Sequence, residues 1–278
     1  MVLPDSGAGS INYEIPAFLP AGRHGAGMTF LTPVKKKYYG TQTEQALNNF
    51  PFHLPPVSLE LVYAIVEVKK ASAKAHQVIG ELDISVTEPI IKACDEVLSG
   101  TWDDQFPVSS LQGGAGTSIN MNVNEVIASR ASEIAKKEIH PNDHVNKSQS
   151  TNDVNPTALR IVSLRKMHKL SVELECLMSC IDHKIKEYGH ISKLARTHMQ
   201  DAIPTTVGDE MGAWRATIER DTKRLSELTP YLLQIHLGGT AIGNGTNASV
   251  HFQKEVIKQL NLIVTDIGTD LTPAPNFH

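Results

Sequence analysis

Aromatic side chains are scarce: Phe, Tyr and Trp together make up 5% of the 278 residues. A base-stacking platform for single-stranded nucleic acid needs more. Positive charge is not in surplus either. Lys and Arg number 26 against 30 Asp and Glu, a formal net charge of -4, so phosphate backbones and anionic lipid meet no general attraction. Neither nucleic acid nor a membrane is an expected partner. The three cysteines, Cys94, Cys176 and Cys180, are too few and odd in number for a disulfide framework, and a reducing, cytoplasmic setting is the expectation. No apolar run reaches the ~18 residues of a membrane-spanning helix. What is present, 41% hydrophobic and 20% charged residues, suits a globular protein with a sizeable core. The length gives a prior of about two domains.

Residues 1–37 are rich in Gly and Pro and read as a loose arm. No basic start precedes an apolar core there, so no secretory signal is predicted. Lys35-Lys36-Lys37 reads as a solvated loop. From Val57 to Gly80 the apolar residues Leu61, Val62, Ile65 and Val68 follow a helical pattern. A second helix is predicted with Thr87 as N-cap, Pro89 in its first turn and Gly100 just past its end. A third runs from Thr117 to Lys137. Beyond a turn at His140-Pro141-Asn142-Asp143, two long apolar stripes follow: Met167, Leu170, Leu174, Leu177, Ile181, Ile185 and Tyr188, then Val207, Met211, Trp214, Ile218, Leu225, Leu228, Leu232 and Ile235. Steps of three and four over such lengths predict helices packed side by side, with a kink or restart at Pro230. Cys176 and Cys180 are expected to be small core residues rather than a redox pair.

Four stretches place small polar residues beside helix starts. Gly113-Gly114-Ala115-Gly116-Thr117-Ser118 opens the third helix, where glycine lets a backbone approach a ligand and free N–H groups favour an anion. No Gly-Lys-Ser/Thr follows, so it is not a P-loop. Asn146 to Asp153 is eight polar residues leading into Pro156; Ser150, Thr151 and Asn152 offer hydroxyl and amide donors suited to a carboxylate, or form a solvated loop. Arg196-Thr197-His198-Met199-Gln200-Asp201 ends at Pro204 and sets His198 in a loop feeding a helix, either as a structural hydrogen-bonder or as a proton carrier. Gly238-Gly239-Thr240-Ala241-Ile242-Gly243 reads as a ligand wall or a helix C-cap. Two patterns mislead. His140, Asp143 and His144 have metal-ligand residue types without a further ligand set, so no metal site is assigned. Gly243 to Ala248 fits G-x-G-x-x-A, the weak form of a dinucleotide fingerprint, which needs Tyr231–Leu237 to be a strand.

Taken in order, these stretches resemble the aspartase/fumarase superfamily of lyases. The resemblance covers Tyr38 to His278 and includes Tyr39 to Thr43, Gly113 to Glu125, His140 to Asp153, Arg196 to Ala202 and Leu237 to Gly243. The run Gly-Ala-Gly-Thr-Ser-Ile-Asn-Met-Asn, followed by His-Pro-Asn-Asp-His-Val-Asn-Lys-Ser-Gln-Ser-Thr-Asn-Asp, is highly specific. The chain looks like the aspartate ammonia-lyase branch rather than fumarate hydratase. Hydratases usually carry Gly-Ser-Gly-Thr-Gln where Gly114 to Ser118 stand, and Met in place of Lys147.

The resemblance implies a mainly α fold, a long-helix bundle with an N-terminal domain (38–145) and the first part of a central helical domain (146–278). It implies a homotetramer with shared active sites, a small dicarboxylate substrate, and no metal or organic cofactor. Gly116, Thr117, Ser118, Ser150 and Thr151 would hold the carboxylate that accumulates charge. Asn152 and His198 would approach the amino group, with His198 the catalytic residue of the set, and Thr197 would take the other carboxylate. His140, Asn142 and Asp143 match a second anion-binding turn, or else give structural support to the neighbouring site. The family's mobile Gly-Ser-Ser-x-Met-Pro-x-Lys-x-Asn loop, which supplies the proposed base, does not occur in these 278 residues. The chain is therefore expected to be an N-terminal portion or truncated product with weak turnover. The alternatives are fumarate hydratase on the same scaffold and a non-catalytic homologue that keeps the half-site.

Overall fold

Helix α2 (Leu59–Val78) is buried on most of its faces, and the rest of the fold is arranged around it. Val62, Ala64, Ile65, Val66, Val68, Ala71 and Ala75 are completely buried. Residues buried on several sides of one helix need several neighbours to cover them. α3 (Ile84–Leu98), α4 (Thr117–Ala135), the first turns of α5 (Thr151–Tyr188) and α7 (Val250–Asn261) all pack on it. Its alanines let those neighbours come close. The computed structural model describes residues 36–52 and 54–274. Within the unit that begins at Lys37 the remaining elements are α1 (Thr41–Asn49), the hairpin β1 (Ser192–Thr197) and β2 (Gln200–Thr206), α6 (Val207–Leu232), and the parallel pair β3 (Gln234–Ile235) and β4 (Thr272–Pro273). The residues predicted as a loose arm lie almost wholly outside the described ones.

The mainly helical architecture and the two long helices match the pattern read from the sequence. α5 runs for 38 residues and α6 packs against it. Pro230 does not restart α6; it lies within the last turn, which ends at Leu232. Several local expectations are corrected. Asp83, not Thr87, caps α3: its carboxylate accepts from Ser85 N–H at 2.8 Å. Thr87 sits inside the helix and turns its hydroxyl back to the Asp83 carbonyl. Pro89 falls in the second turn. Cys176 and Cys180 are exposed on this chain rather than buried, and only Cys94 lies in the core. Gly238 to Gly243 does not cap α6, since β3 intervenes.

Charge ties the ends of the fold to its centre. Arg165 on α5 makes two hydrogen bonds to Glu67 on α2, both 2.9 Å, and two to Asp266, at 2.7 and 2.8 Å. Glu125 on α4 accepts from the Gly40, Gln42 and Thr43 N–H groups and the Thr43 hydroxyl, so one carboxylate holds the start of α1. That is the N-terminal anion preference of a helix met by a side chain from another element.

Candidate active site

The site is built around the start of α5, to which the glycine loop before α4 and the turn at Gly238 are tied. The loop of residues 146–150 is held from beneath by Lys69, a wholly buried residue of α2 whose ammonium donates to Asn146 Oδ1 at 2.7 Å and Gln149 Oε1 at 3.1 Å. Burial pushes the Lys69 amine down to about 7, opposed by the charge of Asp153. His76, about two turns further along the same face of α2, is also buried. Its Nε2 meets the Lys147 carbonyl at 3.1 Å, its Nδ1 meets Glu81, and its ring stacks on Phe252 at 4.4 Å. Desolvation holds its pKa below the ordinary histidine value.

Ser150 caps α5 in a reciprocal capping box with Asp153. Asp153 does more than cap. It accepts from the Ser150 N–H at 2.9 Å through one oxygen, and from the Gly238 and Thr240 N–H groups at 3.1 and 2.9 Å through the other. Burial raises its pKa against the pull of these donors and of Lys69. One buried carboxylate thus binds the start of α5 to the glycine turn. Asn152 adds a second tie, donating to the Ala241 carbonyl at 2.7 Å.

The glycine loop before α4 is clamped in the same way. Asn155 on α5 donates to the Ala115 and Gly116 carbonyls at 2.8 and 2.9 Å. Gly116 has a φ of +82°, and a Cβ there would fall 2.1 Å from Asn155 Nδ2, so no larger residue fits. Asn120, one turn into α4, reaches the Thr151 hydroxyl at 3.4 Å.

Around this frame the sequence-predicted residues divide. Ser150 shares a polar cleft of about 570 Å³ with Asn142, Asp143, Lys147, Ser148, Thr240 and Asn247. Thr117 and Ser118 line a smaller cleft beside Gln42 and Phe50, and Gly116 opens on another face. Asn152 lines a cleft of about 390 Å³ with Arg160 and the glycine turn. His140 heads a π-helical turn, Pro141–Val145; its Nδ1 accepts from the Asp143 N–H, and the His144 ring accepts from the His140 N–H. Both rings are therefore engaged locally. Gly243 to Ala248 lies in turns; the preceding strand is only Gln234–Ile235, and α7 starts separately with Ser249 as its cap. That is not the strand–glycine–helix unit of a dinucleotide fold.

Thr197 and His198 are elsewhere. They belong to the hairpin beyond the far end of α5, not to a loop feeding a helix. His198 and Met199 form its two-residue turn with φ of 49° and 63°, the type I′ geometry usually given to Asn-Gly. A helix of 38 residues is roughly 57 Å long and a six-residue strand reaches about 20 Å. His198 cannot meet Ser150 of its own chain.

Sequence reading had missed Lys69, Asn155, Asn120 and the wider role of Asp153. The signal for Lys69 was available: Val62, Ile65, Lys69, Ser72 and His76 form one buried stripe, and a polar residue on such a stripe needs a partner.

Residues 31–277 match the lyase family, and the chain belongs to the aspartase/fumarase superfamily of lyases. It is 44% identical over 229 residues to an aspartate ammonia-lyase of Bacillus subtilis (strain 168), covering 80% of this chain and 48% of that one. It is 40% identical over 247 residues to a class II fumarate hydratase of Rhizobium meliloti (strain 1021), covering 86% and 53%. A crystal structure of a fumarate lyase:delta crystallin from Brucella melitensis superposes with a TM-score of 0.80 at 40% identity, over 87% of this chain and 54% of that one. The chain spans about half the length of the curated relatives it matches.

Proposed function

We propose that this chain carries the carboxylate-binding half of an aspartate ammonia-lyase site, which converts L-aspartate to fumarate and ammonia. The observation that carries the reading is the start of α5: a polar loop and a capped helix N-terminus, pinned from beneath by Lys69 and Asp153, with Ser150 opening on a polar cleft. Removing a proton beside a carboxylate places a second negative charge on that carboxylate. Donors fixed in advance lower the barrier because nothing need reorganise as the charge grows. Ser150, Thr151 and Thr117, with the Gly116 backbone and Ser118, are assigned that task. Asn152 and His198 address the amino group, His198 handling the proton at the departing ammonia, and Thr197 holds the second carboxylate. His140, Asn142 and Asp143 form a second anion-binding turn at the rim of the larger cleft.

The length of α5 supports the further reading that sites are shared between copies, in a homotetramer, since Thr197 and His198 must be supplied by another chain. Aspartate is preferred to malate on Ser118 and Lys147, which fit the ammonia-lyase pattern. The resemblance assigns the base to a Gly-Ser-Ser-x-Met-Pro-x-Lys-x-Asn loop that is not among these 278 residues, so binding is measured alongside turnover. The test is fumarate release followed by ultraviolet absorbance with L-aspartate and L-malate offered separately, alongside calorimetric binding of each. Aspartate should bind and, if either turns over, release fumarate faster. A preference for malate would instead make the chain a hydratase. Binding of neither would refute the site.

A further inference from the structure

Arg160, in the third turn of α5, makes no hydrogen bond or ion pair among the described residues. Other half-buried arginines are all matched: Arg130 by Glu96, Arg165 by Glu67 and Asp266, Arg215 by Asp182. One nitrogen of the Arg160 guanidinium, Nη1, is sealed from solvent and unpaired. Desolvation lowers its pKa with no carboxylate to offset it. The cleft that Arg160 lines, about 390 Å³, holds a second unpaired donor. Thr240 is 6% exposed and its Oγ1 has no partner. Thr240 also holds a φ of 60°, the left-handed region that a β-branched side chain avoids. Strain of that kind persists where surrounding structure enforces it, here through the Asp153 carboxylate accepting the Thr240 N–H.

Asp153 is the one carboxylate lining this cleft, and both its oxygens already accept backbone N–H groups. Arg160 and Thr240 line the same cleft and each carries an unpaired side-chain donor; such a pair is complementary to an oxyanion, and the planar guanidinium favours a carboxylate. We propose that Arg160 and Thr240 form a carboxylate-binding subsite between the first turns of α5 and the Gly239–Gly243 turn, adding donors for the carboxylate of a small dicarboxylate that is assigned above to the start of α5. Asn152 lines the same cleft and joins it to the site described above. The identity of the ligand as a dicarboxylate rests on the proposed function; the unpaired donors do not.

The experiment is calorimetric titration of the 278-residue chain with succinate, an unreactive dicarboxylate, with sedimentation at the same concentrations. Arg160→Met is expected to weaken succinate binding at least tenfold, Arg160→Lys to retain part of it, and Thr240→Val, which keeps the shape and removes the hydroxyl, to weaken it severalfold. Sedimentation should not change. The melting temperature of Arg160→Met should not fall, because the side chain satisfies nothing in the free protein; a fall would mark a structural arginine and overturn the proposal. Unchanged succinate binding in Arg160→Met, or none in the parent chain, also overturns it. If Arg160→Met splits an assembly while leaving succinate bound, the carboxylate is an acidic side chain of a second copy, and the small-molecule assignment fails. Ser150→Ala separates the two readings: if succinate binding survives Ser150→Ala but not Arg160→Met, the subsite stands and the Ser150 cradle does not.

Discussion

From Thr151 to Leu164, α5 buries seven residues, three of them polar, in a core shared with α2; from Arg165 to Tyr188 it buries none, and α6 buries none at all. Both stretches have helical apolar patterns. The first meets a complete set of neighbours, while the second, past the ion pairs of Arg165 with Glu67 and Asp266 and of Lys166 with Glu60 at its start, packs on α6, leaving Leu177, Trp214, Leu228 and Tyr231 between 46% and 68% exposed. A stripe of helical spacing says that a face needs covering, not what covers it. Stability in the proximal half comes from burial with hydrogen-bonded polar groups, and in the distal half from the mutual packing and local capping of two helices.

Substitutions in each half sharpen that contrast. The largest loss of stability is expected from Asp153→Ala, which strips the acceptor from three backbone N–H groups and leaves Lys69 with no opposing charge. Urea unfolding should show a loss of about 3 kcal/mol, with the turn at Gly238 gaining hydrogen exchange first. A result near zero would mean the turn is held by other contacts.

Lys69 gives the next effect, and it depends on pH. Its amine titrates near 7 when folded and near its ordinary value when unfolded. Between those two values the unfolded chain binds more protons, so stability rises with pH there, by at most about 1.4 kcal/mol per pH unit from this group. Below 7 both states are charged and the contribution is flat at its least favourable level. Lys69→Met should reduce the slope of stability against pH from 7 towards 10. A slope equal to that of the parent chain would show that the amine is not the group responsible.

In the distal half the effects shrink. Thr206 caps α6, accepting the Asp209 N–H at 3.0 Å, and Thr206→Ala should cost about 1 kcal/mol, read by urea titration under conditions where the chain is monomeric. Leu177→Lys should change monomer stability by less than about 0.5 kcal/mol and instead weaken self-association in sedimentation. A large loss of monomer stability would contradict the exposed position of Leu177.

Much of this contrast was legible in the residues. The two long helices follow from apolar spacing, and the polar stretches at Gly113 and Asn146 proved to be helix starts. The hairpin was not legible. Its turn is His198-Met199, which lacks the glycine or asparagine that normally marks positive φ, and the strand Gln200–Thr206 contains Pro204. The exposure of Cys176 and Cys180 was hidden too, because pattern alone cannot tell a face covered by the same chain from one that is not. The start of α3 was misplaced because Thr87 suits an N-cap and Pro89 suits a first turn, although Asp83 caps the helix. Lys69 and Asp153 show why the site was only partly readable. Their partners lie some 80 residues away in sequence, and no local pattern encodes a contact that the tertiary fold creates.

The 38 residues of α5 also have a consequence for inheritance. Since the helix keeps the Ser150 end and the His198 end of one chain apart, in the homotetramer proposed above damage at either end would be damage to different sites. Two chains, one harmed at Ser150 and the other at His198, would between them retain some sites built wholly from sound ends. On the proposed sharing of sites, the rise per residue of an α-helix would thereby let two defective alleles repair one another.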